Sequence, residues 1–105
     1  MSREAAAMLD QAVELSRQLL AAADHGDSQA VAILDAQRLQ LLKSARNGAR
    51  APDANERVLL QEIALLNDKS IGSLEHHRRI KGRQMDVAIA GRRAVHAYAH
   101  ARQLR

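Results

Sequence analysis

The sequence contains no cysteine, no phenylalanine and no tryptophan, and only one tyrosine and one proline among 105 residues. Without cysteine the chain has no disulfide, no thiolate zinc site and no thiol nucleophile. No apolar run reaches the roughly 18 residues that a membrane-spanning helix needs. Residues Met1 to Glu4 lack the apolar core of a signal peptide. We therefore expect a cytoplasmic protein that does not insert into membranes.

Catalytic and metal-binding patterns are also missing from the sequence. It has no Gly-rich phosphate loop, no HExxH zinc motif, no EF-hand pattern and no nucleophile elbow. His96 and His100 lie four residues apart and could join His76 or His77 around a transition metal, but the neighbouring arginines repel a cation. We expect no enzyme activity, no cofactor and no metal, and we interpret the histidines as surface residues.

Alanine and leucine supply most of the apolar content, and both are strong helix formers. Aromatic and β-branched residues, which favour strands, are few. A chain of this length forms a single domain. The sequence therefore predicts an all-α fold, an antiparallel helical bundle of three to four helices. In this bundle an N-terminal helical hairpin precedes a long C-terminal helix that could bend.

Capping and turn residues mark the expected helix boundaries. Ser2 is the expected N-cap of the first helix, and Gly26 is expected to end that helix in a left-handed conformation. Asp27 then caps the second helix, with Ser28 as the competing choice. So short a connection makes the two helices antiparallel neighbours. The only convincing loop is the segment Asn47 to Pro52.

The stretch from Asp53 to Arg105 organises the rest of the chain, because it has no proline and keeps helical apolar spacing. Its first residues form a capping box, in which Asp53 accepts from the amide of Glu56 and Glu56 reaches back. A continuous helix of this length would span about 75 Å, which exceeds the width of a globule of this size. The helix therefore protrudes or bends, and the candidate bends are Gly72, Gly82 and Gly91.

Charge divides the chain near residue 75. Residues 1–75 hold 8 Lys/Arg against 11 Asp/Glu, whereas residues 76–105 hold 8 Lys/Arg against Asp86 alone. We therefore expect one domain, residues 1–105, with a bundle core in residues 1–75 and a basic C-terminal helix in residues 76–105. Because Tyr98 is the only tyrosine, phenylalanine or tryptophan among these residues, docking on an acidic protein surface is a better interpretation than nucleic-acid binding.

Three polar residues, Arg38, Asn67 and Ser70, interrupt otherwise apolar helix stripes. One interpretation is that these positions are helix edges that meet solvent. The other is a groove in which a partner helix supplies what the stripe lacks.

An ordered set of motifs runs through most of the chain. The first half carries Leu15-Ser16-Arg17-Gln18-Leu19-Leu20, Ala23, Gly26-Asp27 and Leu41-Leu42. The second half carries Ile63, Leu66, Asn67-Asp68, Ile71, Leu74 and Ala94-Val95-His96-Ala97-Tyr98. In this order and spacing the set resembles the FliT-like family, cytoplasmic export chaperones of the bacterial flagellar type III secretion system. The chain departs from the family pattern at Ser28, where an aromatic residue is common, and at His96, where asparagine is common.

The resemblance implies an antiparallel bundle whose C-terminal helix docks on it and regulates partner access. It implies binding to the C-terminal segment of the flagellar filament-capping protein, to the export ATPase and the export gate, and in some bacteria to the flagellar master transcription regulator. On this hypothesis helices two and three line a hydrophobic groove formed by Val31, Leu34, Leu41, Leu59, Ile63, Leu66 and Leu74. The regulatory C-terminal helix uses Met85, Arg92, Arg93, Val95 and Tyr98.

Two other hypotheses stay open. A small basic helical regulator would bind nucleic acid or a transcription factor through residues 76–105. A self-associating bundle would form a homodimer by pairing the third helix with that of a second chain.

Overall fold

The computed structural model describes residues 2–46 and 51–103, and it describes their side chains except those of Ser2, His96 and residues 98–103. Three helices follow one another: α1 (Ser2–Asp24), α2 (Ser28–Ala45) and α3 (Ala54–Gln103). The predicted all-α fold, with an N-terminal hairpin and a long C-terminal helix, is confirmed, and it has three helices. In the described part of the chain, no helix is both long and apolar enough to cross a membrane.

The turn between α1 and α2 forms as its local chemistry predicts. Gly26 has a φ of 70°, the left-handed conformation that glycine adopts without steric cost. The Asp27 amide donates to the Ala22 carbonyl at 2.9 Å, which closes the end of α1. The Asp27 side chain accepts from the Ala30 amide at 3.1 Å and caps α2. The predicted roles of Gly26 and Asp27 are thus confirmed, and Ser28 is the first residue of α2.

The helix α3 begins at the predicted cap and continues without interruption. The Asp53 side chain accepts from the Glu56 amide at 2.8 Å, as half of the predicted capping box requires. The helix then continues unbroken through the three candidate bends, Gly72, Gly82 and Gly91. A helical glycine costs only about 1 kcal/mol relative to alanine, and no proline follows Pro52 to end the helix. Most of the expected loop, residues 47–50, lies outside the described residues.

The chain divides into two compact units between Leu74 and Glu75. The first unit holds α1, α2 and the first part of α3. The second unit is the remainder of α3.

The core of the first unit is small and aliphatic. Leu9, Ala12 and Val13 of α1 meet Ile63 of α3 in its buried centre. Half-buried residues of α2 and α3 pack around this centre, namely Leu41, Leu42, Ala45, Leu59 and Leu66. The helix α1 therefore packs against both α2 and α3.

Polar contacts between α1 and α3 fix their relative direction. Arg17 donates to Glu62 at 2.7 Å, and Ser73 donates to Asp24 at 2.7 Å. Because later residues of α1 meet later residues of α3, the two helices run parallel, with α2 antiparallel to both. The hydrogen bond to Glu62 raises the pKa of the Arg17 guanidinium, and the charges of Glu62 and Glu14 act in the same direction. This ion pair is solvent-exposed, so its contribution to stability is small.

Candidate partner-binding site

The seven residues predicted to line a groove lie mostly on the inner side of the bundle. Ile63 is 7% exposed and belongs to the buried centre, and Leu41, Leu59 and Leu66 pack against it. The other three, Val31, Leu34 and Leu74, are half-buried. Most of these seven residues therefore pack in or around the core, and only part of each half-buried side chain is accessible to a partner.

A pocket of about 240 Å³ opens between α2 and α3. Its lining combines aliphatic side chains with three polar ones, and the lining residues are Asp35, Arg38, Leu39, Leu42, Ile63, Ala64 and Asn67. Ile63 is the one residue shared with the predicted groove. The pocket therefore lies between the two helices expected to form a groove, but it is lined largely by other residues.

Arg38 organises the polar side of this pocket. Its side chain is nearly buried, and one guanidinium nitrogen, Nη2, donates to Asp35 Oδ1 at 2.6 Å and to Asn67 Oδ1 at 3.0 Å. The other terminal nitrogen donates to Ser16 Oγ at 3.4 Å. A buried cation is tolerated only when it is paired and hydrogen-bonded, and here the partners come from all three helices. Arg38 thus links α1, α2 and α3 across the pocket floor.

The three interrupted stripes therefore have an explanation inside the molecule. For Arg38 and Ser70 the solvent-edge interpretation is wrong, because they are only 9% and 2% exposed. Ser70 donates to the Leu66 carbonyl at 2.9 Å within its own helix, and Asn67 accepts from Arg38. The three side chains satisfy one another or the local backbone, so no partner helix is needed to supply their hydrogen bonds.

Large apolar side chains extend this surface beyond the pocket. Leu39, in the pocket wall, is 50% exposed. On α3, Leu60 and Ile71 lie one turn before Ala64 and one turn after Asn67, on the same helix stripe. They are 38% and 47% exposed. The result is an apolar rim around a polar centre, which we call the α2–α3 groove: Leu39, Leu42, Leu60, Ala64 and Ile71 around Asp35, Arg38 and Asn67.

None of the aliphatic members of this rim is among the seven residues predicted to line the groove, and of its polar members only Arg38 and Asn67 were singled out from the sequence. Leu60 belongs to an apolar stripe of the third helix and Leu39 to no predicted stripe, and only their exposure in the folded chain distinguishes them as rim residues. Arg38 and Asn67 were recognisable as polar interruptions of apolar stripes. Their separation of 29 positions gave no signal that they pair.

The predicted regulatory residues lie in the second unit. Every residue from Lys81 to Val95 is exposed, and Met85 and Val95 are 66% and 69% exposed. Arg92 and Arg93 are exposed as well, and the side chain of Tyr98 lies outside the described residues. These positions belong to the same continuous helix as the rest of α3. Their regulatory role stays a prediction.

The described residues contain no group of three histidine, aspartate or glutamate side chains placed to hold a metal ion. Two of the histidines considered above, His96 and His100, have side chains outside that description.

Comparison of the chain with protein-family models, with curated proteins and with solved structures gives no match. The functional interpretation therefore depends on the residues themselves and on their geometry.

Proposed function

We propose that this chain is a helical protein-binding module that acts as a cytoplasmic export chaperone of the flagellar type III secretion system. On this proposal it holds an amphipathic segment of the filament-capping protein until export. It also engages the export ATPase and the export gate, and in some bacteria the flagellar master transcription regulator. The proposal extends the resemblance of the motif set to the FliT-like family.

The α2–α3 groove is the observation that carries the proposal. Exposed aliphatic residues such as Leu39 and Ile71 flank a pocket whose polar groups are already paired. An amphipathic helix binds such a groove by burying side chains spaced three and four residues apart. Because Asp35 neutralises Arg38, an apolar side chain can enter the pocket without meeting an uncompensated charge.

The small core supports the same interpretation. Only six hydrophobic residues are buried among the described residues, while ten large ones are exposed. Exposed apolar surface of this kind favours association with another polypeptide. The exposed C-terminal segment, with Met85, Arg92, Arg93 and Val95, would regulate access to the export partners.

The test compares client truncation with substitution in the groove. The full-length filament-capping protein encoded in the same genome should bind, and a client lacking its C-terminal segment should not. Replacing Leu39 by serine should weaken binding about tenfold, because burying a leucine contributes roughly 1.5–3 kcal/mol. Titration calorimetry with purified proteins measures both effects.

Leu65→Ser supplies the matched control. Leu65 is 56% exposed, close to the value for Leu39, but it lies on the side of α3 away from the Leu60–Ile71 stripe. Its replacement should leave the affinity within about twofold. Equal binding of truncated and full-length clients, or equal losses at Leu39 and Leu65, would contradict the groove as the client site.

A further inference from the structure

The second unit carries a surface distinct from the α2–α3 groove, and the proposed function gives three of its residues, Met85, Arg92 and Val95, only a general regulatory role. Residues Lys81 to Val95 form part of one continuous helix, and each of them is exposed. Four large aliphatic side chains in this segment, Met85, Val87, Ile89 and Val95, are 41–73% exposed. Met85 and Val95 share one side of the helix with several of its cations, and a surface of this composition fits a partner that combines apolar and acidic groups.

The exposed positions include a regular seam. Its members follow the alternating three- and four-residue spacing of heptad a and d positions, and they are Arg78, Lys81, Met85, Ala88, Arg92 and Val95. All six are exposed. Along the seam two basic positions are followed by two apolar positions, one basic position and one apolar position. We call this set the basic seam.

Like charges disfavour a second copy of this helix as the occupant. In a parallel pair, each a-position arginine of the basic seam faces the same arginine of the other chain. In a fully overlapped antiparallel pair, Lys81 faces Arg92. Like charges placed opposite one another oppose the pairing in both orientations.

Nucleic acid fits the basic seam less well than a polypeptide does. Phosphates would pair with the arginines, but the aliphatic side chains between them would have no apolar group to pack against. The segment also lacks aromatic side chains on which bases stack. An acidic amphipathic helix, by contrast, matches both kinds of position.

We propose that the basic seam of α3 docks an acidic amphipathic helix of another protein, which places carboxylates opposite Arg78, Lys81 and Arg92 and aliphatic side chains opposite Met85, Ala88 and Val95. This surface uses none of the residues of the α2–α3 groove. It therefore stands whether or not the groove binds an export client.

The probe is a synthetic helical peptide of about three heptads, with glutamate opposite the basic positions of the seam and leucine opposite its apolar positions. A control peptide replaces each of these glutamates by glutamine and keeps the leucines. Fluorescence anisotropy with the full-length chain should give an affinity about tenfold higher for the glutamate peptide, since complementary charges distinguish the two.

Two charge-matched variants locate the binding surface. Arg78→Gln/Arg92→Gln removes two cations from the basic seam, and Arg79→Gln/Arg83→Gln removes two from other faces of the same helix. The first variant should weaken the peptide roughly tenfold and the second about twofold or less. Glutamine is a good helix former, and circular dichroism verifies that both variants keep the helix.

Three outcomes would overturn the proposal. The first is equal weakening by the two variants, which indicates attraction to net charge without a seam. The second is equal affinity for the glutamate and glutamine peptides. The third is a duplex DNA oligonucleotide that binds more tightly than the peptide and loses affinity in both variants, which assigns the segment to nucleic acid.

Discussion

Arg38 is the residue on which the polar organisation of the bundle depends. Its guanidinium contacts Ser16, Asp35 and Asn67, one from each helix. Ser16 is itself fully buried and donates to the Ala12 carbonyl at 2.7 Å. These directional bonds connect all three helices and add a geometric constraint to the aliphatic packing. We therefore expect Arg38 to favour one relative position of the three helices.

Asn67→Ala should destabilise the first unit by about 1.5–3 kcal/mol, because the charged, nearly buried Arg38 loses one of its hydrogen bonds. The free energy of unfolding from urea denaturation measures this effect. Gln61→Ala is the matched control, since Gln61 is an exposed amide on the same helix. It should change stability by about 0.5 kcal/mol or less. Similar effects of the two substitutions would show that the Arg38–Asn67 bond is not important for stability.

The sequence reveals polar interruptions but not the partners of those residues. Arg38 and Asn67 both stand out, because each breaks an apolar stripe. Their pairing depends on how three helices come together, and helical periodicity describes one helix at a time. Ser16 gave less signal still, because a serine that bonds its own helix backbone looks like any other helical serine.

At the level of the helices, a glycine in a left-handed turn and a glycine inside a helix have opposite effects on stability. Gly26 adopts a φ of 70°, which a side chain disfavours. Gly72 lies inside α3, and a Cβ built there meets nothing within 4 Å. Its only effect is the conformational freedom that it gives the unfolded chain. The same substitution should therefore change stability in opposite directions at the two positions.

Gly26→Ala should lower the free energy of unfolding by about 1 kcal/mol or more, and Gly72→Ala should raise it by about 0.5–1 kcal/mol. Parallel urea titrations of the two variants and the unmodified chain measure both. Each variant is the control for the other, since both exchange glycine for alanine in the first unit. Two changes of the same sign would contradict the assigned backbone conformations.

Three helix boundaries were predictable because their causes are local, whereas Ser2, predicted as an N-cap, is the first residue of α1. Gly26, Asp27 and Asp53 act on groups within a few positions of themselves, so sequence alone shows their roles. The continuity of α3 was not predictable. The cost of each glycine within a helix is small and known, but whether a helix tolerates three of them depends on the contacts and partners of the whole element.

At the scale of the whole molecule, burial and positive charge occupy different parts of the chain. Every buried side chain among the described residues lies between Leu9 and Ser70. Of the residues from 76 onward, 8 are Lys or Arg and only Asp86 is acidic. Folding free energy should therefore come from the first unit, while the second unit is available for electrostatic recognition. The α2–α3 groove lies in the first unit and the basic seam in the second.

Truncation after Leu74 tests this division. The fragment 1–74 keeps every buried side chain of the described residues, as well as the bonds of Asn67, Ser70 and Ser73. It should unfold cooperatively in urea, and its free energy of unfolding should lie within about 1 kcal/mol of that of the full-length chain. A second fragment that ends at Leu66 lacks those three bonds and should lose roughly 3 kcal/mol or more. If the fragment 1–74 is as unstable as the shorter one, residues 75–105 contribute to the folding of the bundle, and assigning them to recognition alone is wrong.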